Sequence, residues 1–259
     1  MKNAKQPAAT DDGPIRRVLS VLEAVALHED PASLRAVEER TGLPKATVHR
    51  LLGHLERMGY LQRTITPRLF LAGPRLAKLA LAAMSHRWAH HDVHAILVEL
   101  GNRIGETCNI TVVDGYDVLI IDRVETTFPV RFVLHVNARY PLYCSASGKL
   151  YLAWMSKQRR DRYLERAPFP PRARHTLTKR KELAEAIRDI RSNMYSIDNE
   201  ELVSGMVALA VPILSDKREL LGTVAVNSTS ARLTMSDLIR YIPLLNEAAR
   251  QIARLTRET

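Results

Sequence analysis

Apolar positions in residues 31–60, PASLRAVEERTGLPKATVHRLLGHLERMGY, recur at helical rather than strand spacing, and they do so in two short blocks. Leu34 and Val37 give the first block an inward stripe, Ser33 stands where an N-cap belongs, and Gly42 follows where a left-handed stop costs little. Pro44 then suits the first turn of a second helix, on which Val48, Leu51, Leu52, Leu55 and Met58 share one predicted buried face. The opposite face carries Lys45, Thr47, His49, Arg50, Gly53 and Arg57, with Glu56 as its only carboxylate. Held in a helix-turn-helix, such a face sets its first turns against base edges in a major groove while long basic side chains reach phosphate.

The flanking patterns complete a module around this pair. Ile15, Val18, Leu19, Leu22, Val25 and Ala26 form a helical stripe that predicts a first helix packed behind it, with Arg16 and Arg17 at its start as phosphate contacts. Beyond Tyr60, YLQRTITPRLFLAG alternates and breaks at Thr66-Pro67, the pattern of two strands and a turn, with Arg63 and Arg68 near the tip. Three helices and this ribbon predict a winged helix-turn-helix. Ser33 and Arg35, at the start of the first helix of the pair, join Lys45, Thr47, His49 and Arg50 as DNA-facing candidates.

A helix follows over residues 74–88, apolar through Leu76, Leu79, Ala80, Ala83 and Met84, an arc wide enough to predict packing against a second copy of itself. Residues 92–104 continue as helix, and the texture then changes to strands in ETCNITVVDG, YDVLIIDRV and PVRFVLHV, with Asp114-Gly115 as a hairpin turn. The small-residue run CSASGK at 144–149 opens another helix, and helices are predicted at about 157–166 and 179–193. Two more strands, MVALAVPILS and LLGTVAVNST, meet at the polar turn Asp216-Lys217-Arg218-Glu219. A final helix starts at Thr234, where TMSD matches a capping box, and Pro243 must kink or restart it. The fold class is therefore α+β in two domains, the larger with helices flanking a mainly antiparallel sheet that can enclose a pocket.

Composition adds a partner. Of the formal charge of +10, residues 1–90 hold +6, with 14 Lys and Arg against 8 Asp and Glu, so the excess collects where the helix pair lies and favours a polyanion. Cys108 and Cys144 lie in apolar or small-residue surroundings without a CxxC pattern, which fits buried free thiols in a reducing cytoplasm. No apolar run reaches membrane-spanning length.

His86, His90 and His94 fall at i,i+4 spacing, so a metal- or redox-responsive device using them, or Cys108 and Cys144, stands as the alternative reading. Enzymatic chemistry is not expected. Ser147-Gly148-Lys149 lacks the earlier glycine and following hydroxyl of a phosphate loop, Tyr143 replaces the glycine of a serine-hydrolase elbow, and no base is placed for Cys144. No cofactor is expected.

The segments GLPKATVHRLLGHLERMGYL at 42–61, PLYCSASGKLYLA at 141–153 and YSIDNEELVSGMVALAVPIL at 195–214 stand together in one order, and in them the chain resembles the IclR-type bacterial transcriptional regulators nearly end to end. The opening MKNAKQPAATDDGP at 1–14 reads as a disordered tail, and the resemblance implies a winged helix-turn-helix domain at 15–73, a dimerising linker helix at 74–90 and a GAF-like effector-binding domain at 91–259. It implies double-stranded operator DNA bound by a dimer or dimer of dimers, and a small-molecule effector. By position, the effector residues fall on Phe132, Ser145, Ala146, Ser147, Asp198, Ala208, Ala225 and Asn227. Ser145 and Ser147 precede a helix whose first N–H groups suit a carboxylate, Asp198 and Asn227 offer polar partners, and Phe132 an apolar wall. A small organic acid, an aromatic one included, is the expected ligand class.

Overall fold

The computed structural model describes residues 13–28, 30–65, 69–80 and 91–256. The chain divides into two compact units, Met1–Met84 and Ser85–Thr259.

The first unit is built from α1 (Gly13–Ala26), α2 (Leu34–Thr41) and α3 (Lys45–Arg57) with three short strands, β1 (Ala32–Ser33), β2 (Leu61–Arg63) and β3 (Leu69–Ala72). Ser33 caps α2, its Oγ accepting from the Ala36 N–H at 3.1 Å, and Gly42 ends the helix at φ 67°, a left-handed conformation that glycine adopts without steric cost. Pro44 stands one residue ahead of α3, its φ of −57° already helical while its ψ of 141° lets the chain enter from an extended segment. Val37, Val48, Leu52 and Leu55 close the core with Val21, Ala24, Val25, Leu61 and Phe70. This is a winged helix-turn-helix with one strand more than the alternation showed: two residues, Ala32-Ser33, pair with Phe70 and Leu69 to make the sheet order β1-β3-β2.

Two expected faces are corrected. Ile15 and Leu19 are 73% and 49% exposed, because α1 turns Val21, Ala24 and Val25 inward and leaves the rest of its wide apolar arc outside. Met58 is 52% exposed, since α3 ends at Arg57 and the chain turns before a further helical turn can pack. Residues 74–80 are helical, here α4, and the remainder of the expected 74–88 helix lies outside the described residues.

The second unit holds a six-stranded sheet, β6-β5-β4-β9-β8-β7, in which every neighbouring pair is antiparallel. Its strands are β4 (Thr107–Asp114), β5 (Asp117–Val124), β6 (Arg139–Pro141), β7 (Ser196–Asn199), β8 (Met206–Leu214) and β9 (Leu220–Thr229). The β4–β5 connection is a two-residue turn, Gly115-Tyr116, with Gly115 at φ 64° in the first central position, the place a type II′ hairpin reserves for glycine. The expected strand over PVRFVLHV is not formed. Residues 131–135 have no regular structure and Val130, Val133 and Val136 face solvent, so the alternation there never met a partner edge; β6 forms instead at Arg139–Pro141.

One face of the sheet carries α6 (Ala146–Trp154), buried from Ala146 to Ala153 and therefore apolar nearly all round. Helix α11 (Ile242–Leu255) packs on β8 and β9 and helix α5 (His91–Ile104) on β4 and β5, and the two helices pack on each other. The surrounding helices are α7 (Lys157–Leu164), α8 (Arg180–Arg188), α9 (Ile190–Asn193) and α10 (Met235–Ile239). Thr234 and Asp237 form the capping box that starts α10, and Pro243 falls in the first turn of α11, so the proline restarts the helix rather than kinking it.

Candidate functional site

The first candidate surface is the outer face of α3. Lys45, His49, Arg50, His54 and Arg57 are exposed and Thr47 is half-buried, while Val48, Leu52 and Leu55 hold the inner face in the core. Pro44 supplies no side-chain cap and the first turn has no acid, so the leading N–H groups and the positive end of the helix dipole stay open beside Lys45. Glu56 is not left to repel phosphate. Arg63 Nε donates to its two carboxylate oxygens at 2.9 and 3.0 Å, and the same guanidinium lies 5.0 Å from the Phe70 ring centre.

Arg16 and Arg17 are exposed on the first turns of α1. Ser33 acts as the α2 cap, and the exposed Arg35 pairs with Glu39 one turn on, at 2.8 Å. Arg68 lies outside the described residues. His54 is the exposed donor on α3 that the sequence pattern left aside, since its place among Leu52 and Leu55 hid it.

The second candidate lies between the sheet and the start of α6. Cross-strand register puts Asp198 of β7 opposite Ala208 of β8, Ala208 opposite Asn227 of β9, and Asn227 opposite Thr107 of β4. Two residues along, on the same face, Asn109 pairs with Ala225. The two alanines leave room that larger side chains would fill, and a cavity results, with Ser145, Ala146 and Ser147 on its other wall. Space for the centre of a water molecule amounts to about 30 Å³, enough for about two waters, so a ligand of benzoate size must push the walls apart.

Seven of the eight expected residues line this cavity, and Phe132 does not; it packs half-buried against the core near Gly205, because the segment that carries it is not a strand of the sheet. Asn109, Thr111, Tyr140 and Met206 line it without having been expected. A signal for two of them was present: Thr107, Asn109 and Thr111 recur at period two through an otherwise apolar strand.

Hydrogen bonding separates occupied groups from open ones. Ser145 Oγ donates to the Pro141 carbonyl at 3.1 Å and accepts from the Gly148 N–H at 3.1 Å, so it is spent as the cap of α6. Ser147 Oγ accepts from Thr223, which is bonded in turn to Thr111 at 2.7 Å. Three buried polar atoms of the lining have no hydrogen-bond partner among the described residues: Asn109 Oδ1, Asp198 Oδ2 and Asn227 Nδ2. Buried polar atoms without partners are costly, and three of them gather around this one cavity.

Asp198 is 1% exposed. Its Oδ1 accepts from the Glu201 N–H at 2.7 Å and the Leu202 N–H at 3.4 Å. Burial first, and the neighbouring Glu201 carboxylate second, push its carboxyl up to about 7 from an ordinary value of 3.8, against the two backbone donors and Lys149. Lys149 is committed to Glu201 in a buried ion pair. Cys144 is free and buried with its thiol pushed up to about 12 by burial, as is Cys108, so neither is poised as a nucleophile.

A raised carboxyl in the folded state has a definite consequence for stability. Below the unfolded value near pH 4 the group is protonated in both states and costs nothing; as pH rises towards 7 only the unfolded chain gains from ionising, so stability falls over that window and levels above it. Asp198→Asn is expected to remove this fall, leaving the variant roughly 2–4 kcal/mol less pH-sensitive than the wild type between pH 4 and 8 in urea denaturation.

Among the described residues no group of three or more His, Cys, Asp or Glu is placed to hold a metal ion, and no helix is long and apolar enough to cross a membrane. His94 Nδ1 lies 3.0 Å from both oxygens of Asp122, while His86 and His90 fall outside the described residues.

A winged helix-turn-helix with an open basic helix, carried in one chain with an α+β module that holds a largely apolar cavity with a few polar groups, is the build of a DNA-binding transcriptional regulator. The chain belongs to the IclR family: the pattern described as IclR helix-turn-helix domain matches residues 14–64, and that described as Bacterial transcriptional regulator IclR C-terminal matches residues 82–254. It is 35% identical over 238 residues to the probable transcriptional regulator SauR of Cupriavidus necator, covering 92% of this chain and 94% of that protein. It is 26% identical over 251 residues to the transcriptional repressor IclR of Escherichia coli, covering 96% and 92%. Among solved structures, a regulator from Rhodococcus sp. RHA1 aligns with a TM-score of 0.65 at 25% identity over 94% of this chain and 98% of its own. An IclR homolog from Microbacterium hydrocarbonoxydans complexed with 4-hydroxybenzoate shares the fold, with a TM-score of 0.60 at 23% identity over 95% and 99%. These relatives are regulators rather than enzymes.

Proposed function

We propose that this regulator binds a partly palindromic operator as a dimer or dimer of dimers and releases or reshapes its hold when a small organic acid enters the cavity between α6 and the sheet. The observation that carries the ligand half is the set of three unpartnered buried atoms, Asn109 Oδ1, Asp198 Oδ2 and Asn227 Nδ2. The exposed, acid-free first turns of α3 carry the DNA half.

Lys45, Thr47, His49 and Arg50 read base edges; Arg16, Arg17, Ser33, Arg35, Arg63 and Arg68 set register on the phosphates. Exposed Ile15 and Leu19 of α1, Leu27 just beyond it and Leu79 of α4 give apolar surface for a second copy, with residues 74–90 as the connector between domains 15–73 and 91–259. The effector shifts operator occupancy by its different affinity for two arrangements of the dimer, and repression or activation follows from where the operator lies. Buried free thiols and DNA as partner fit work in the cytoplasm.

Arg50→Ala tests the reading side. Specific operator binding, followed by fluorescence anisotropy, is expected to weaken by about 1–3 kcal/mol while binding to random DNA changes little. Equal loss on both would make Arg50 a phosphate contact and move base reading elsewhere on α3.

A further inference from the structure

We propose that the cavity takes its ligand as a carboxylate together with one proton, the proton resting on Asp198 Oδ2 and bonding the ligand's carboxylate. The inference rests on the effector reading above and names the chemistry of that site.

Charge balance within the cavity points this way. The lining offers donors to an anion: Asn227 Nδ2 is buried and unpartnered, and Ser147, in the first turn of α6, accepts from Thr223 and so keeps its own proton to give. Among the described residues the lining holds no Lys or Arg. Lys149 of α6, whose positive charge acts on Asp198, is bound to Glu201, so an ionised Asp198 beside an incoming carboxylate would place two anions together in a buried site. Protonation removes that repulsion and turns Oδ2 from a second open acceptor, beside Asn109 Oδ1, into a donor.

The groups facing Asp198 leave it as the member of the site that takes the proton. Glu201, from the loop after β7, raises its proton affinity and Lys149 lowers it. Cys144, ahead of α6, and Tyr140, of β6, both keep their protons through neutral pH, burial holding each above its ordinary value; Arg172 acts on both as a fixed positive charge. Burial holds the carboxyl near neutrality before any ligand arrives, so the proton costs little to supply. Asn109 Oδ1 remains as a buried acceptor, which favours a carboxylate bearing a hydroxyl elsewhere on its frame.

The test uses the full chain with acetate, benzoate and 4-hydroxybenzoate, and with benzamide and 4-hydroxybenzamide as neutral counterparts. Calorimetric titration at pH 6, 7 and 8, in two buffers of different ionisation enthalpy, counts protons directly and needs no variant. Expected is an uptake approaching one proton per carboxylate at pH 8 and an affinity that falls about tenfold per pH unit above 7. Asp198→Asn keeps a donor that cannot titrate, and is expected to bind the same carboxylate with a flat pH profile.

Binding of carboxylates without proton uptake, a pH slope that survives in Asp198→Asn, a preference for the amides, or no carboxylate binding at pH 6 would each overturn the proposal. Amides that bind in the cavity and shift operator affinity leave the effector reading standing. If neither probe class binds or moves operator affinity, it is the effector reading itself that fails.

Discussion

Lys149→Met is expected to lower the unfolding free energy by about 3–5 kcal/mol, the usual cost of stranding one partner of a buried ion pair. Lys149 and Glu201 are 4% and 7% exposed, and Glu201 Oε2 already has no hydrogen-bond partner, so removing the ammonium leaves a buried carboxylate with nothing to offset it. The pair ties the second turn of α6 to the loop after β7, the same loop whose N–H groups hold Asp198. Two results should therefore travel together in one urea titration series. Stability drops, and Asp198 loses the one charge that lowers its proton affinity, so its ionisation moves further up. Adding Glu201→Leu to Lys149→Met removes the stranded charge, and the double variant is expected to recover most of the loss. Failure of the second change to rescue the first would mean that Lys149 acts through its alkyl stem rather than its charge.

That pair also shows where sequence reading ends. Short-range signals transferred to the structure because each is a local hydrogen-bond problem with one cheap answer: the Ser33 cap, the Gly42 stop, the Thr234 and Asp237 box, the glycine of the β4–β5 turn. Lys149 could be read only as a phosphate-loop lysine that failed its motif; its partner stands 52 residues later, and no spacing rule joins them.

The cavity lining was legible through the family resemblance for Ser145, Ser147, Asp198 and Asn227; the period-two pattern of β4 put Asn109 and Thr111 on one face, yet which face meets the cavity needed the register of β4 on β9, which no single strand encodes. Phe132 stands outside the cavity lining for a different reason. An alternating pattern over 129–136 looks like a strand whether or not an edge is available to pair with, and here none of residues 131–135 found one. On α1 and at Met58 the apolar pattern named more residues than the core had room to cover, since periodicity gives the direction of a face but not its width.

Gly148→Ala is the second large effect. An added Cβ would lie 2.3 Å from the Leu142 carbonyl oxygen, 2.5 Å from Leu142 Cα and 2.6 Å from Ser145 Oγ. Two of those atoms are backbone, so no rotamer change clears them, and α6 must lift from the 3₁₀ turn at Leu142–Cys144 that it rests on. Lifting it breaks the cap, because the Gly148 N–H is the group Ser145 Oγ accepts from. Overpacking and the lost cap together are expected to cost about 2–4 kcal/mol in denaturant unfolding.

Gly53→Ala is the matched control. Nothing lies within 4 Å of a Cβ at Gly53, in the middle of α3, and the same methyl group there is expected to stabilise by about 0.5–1 kcal/mol through helix propensity alone. The sheet wall of the cavity does not move with α6, so Gly148→Ala should also weaken any carboxylate that bonds Ser147 and the α6 N-terminus while leaving operator binding intact. Stability loss with unchanged ligand affinity would show that α6 contributes no donor to the ligand, and that the sheet residues Asp198 and Asn227 hold it alone.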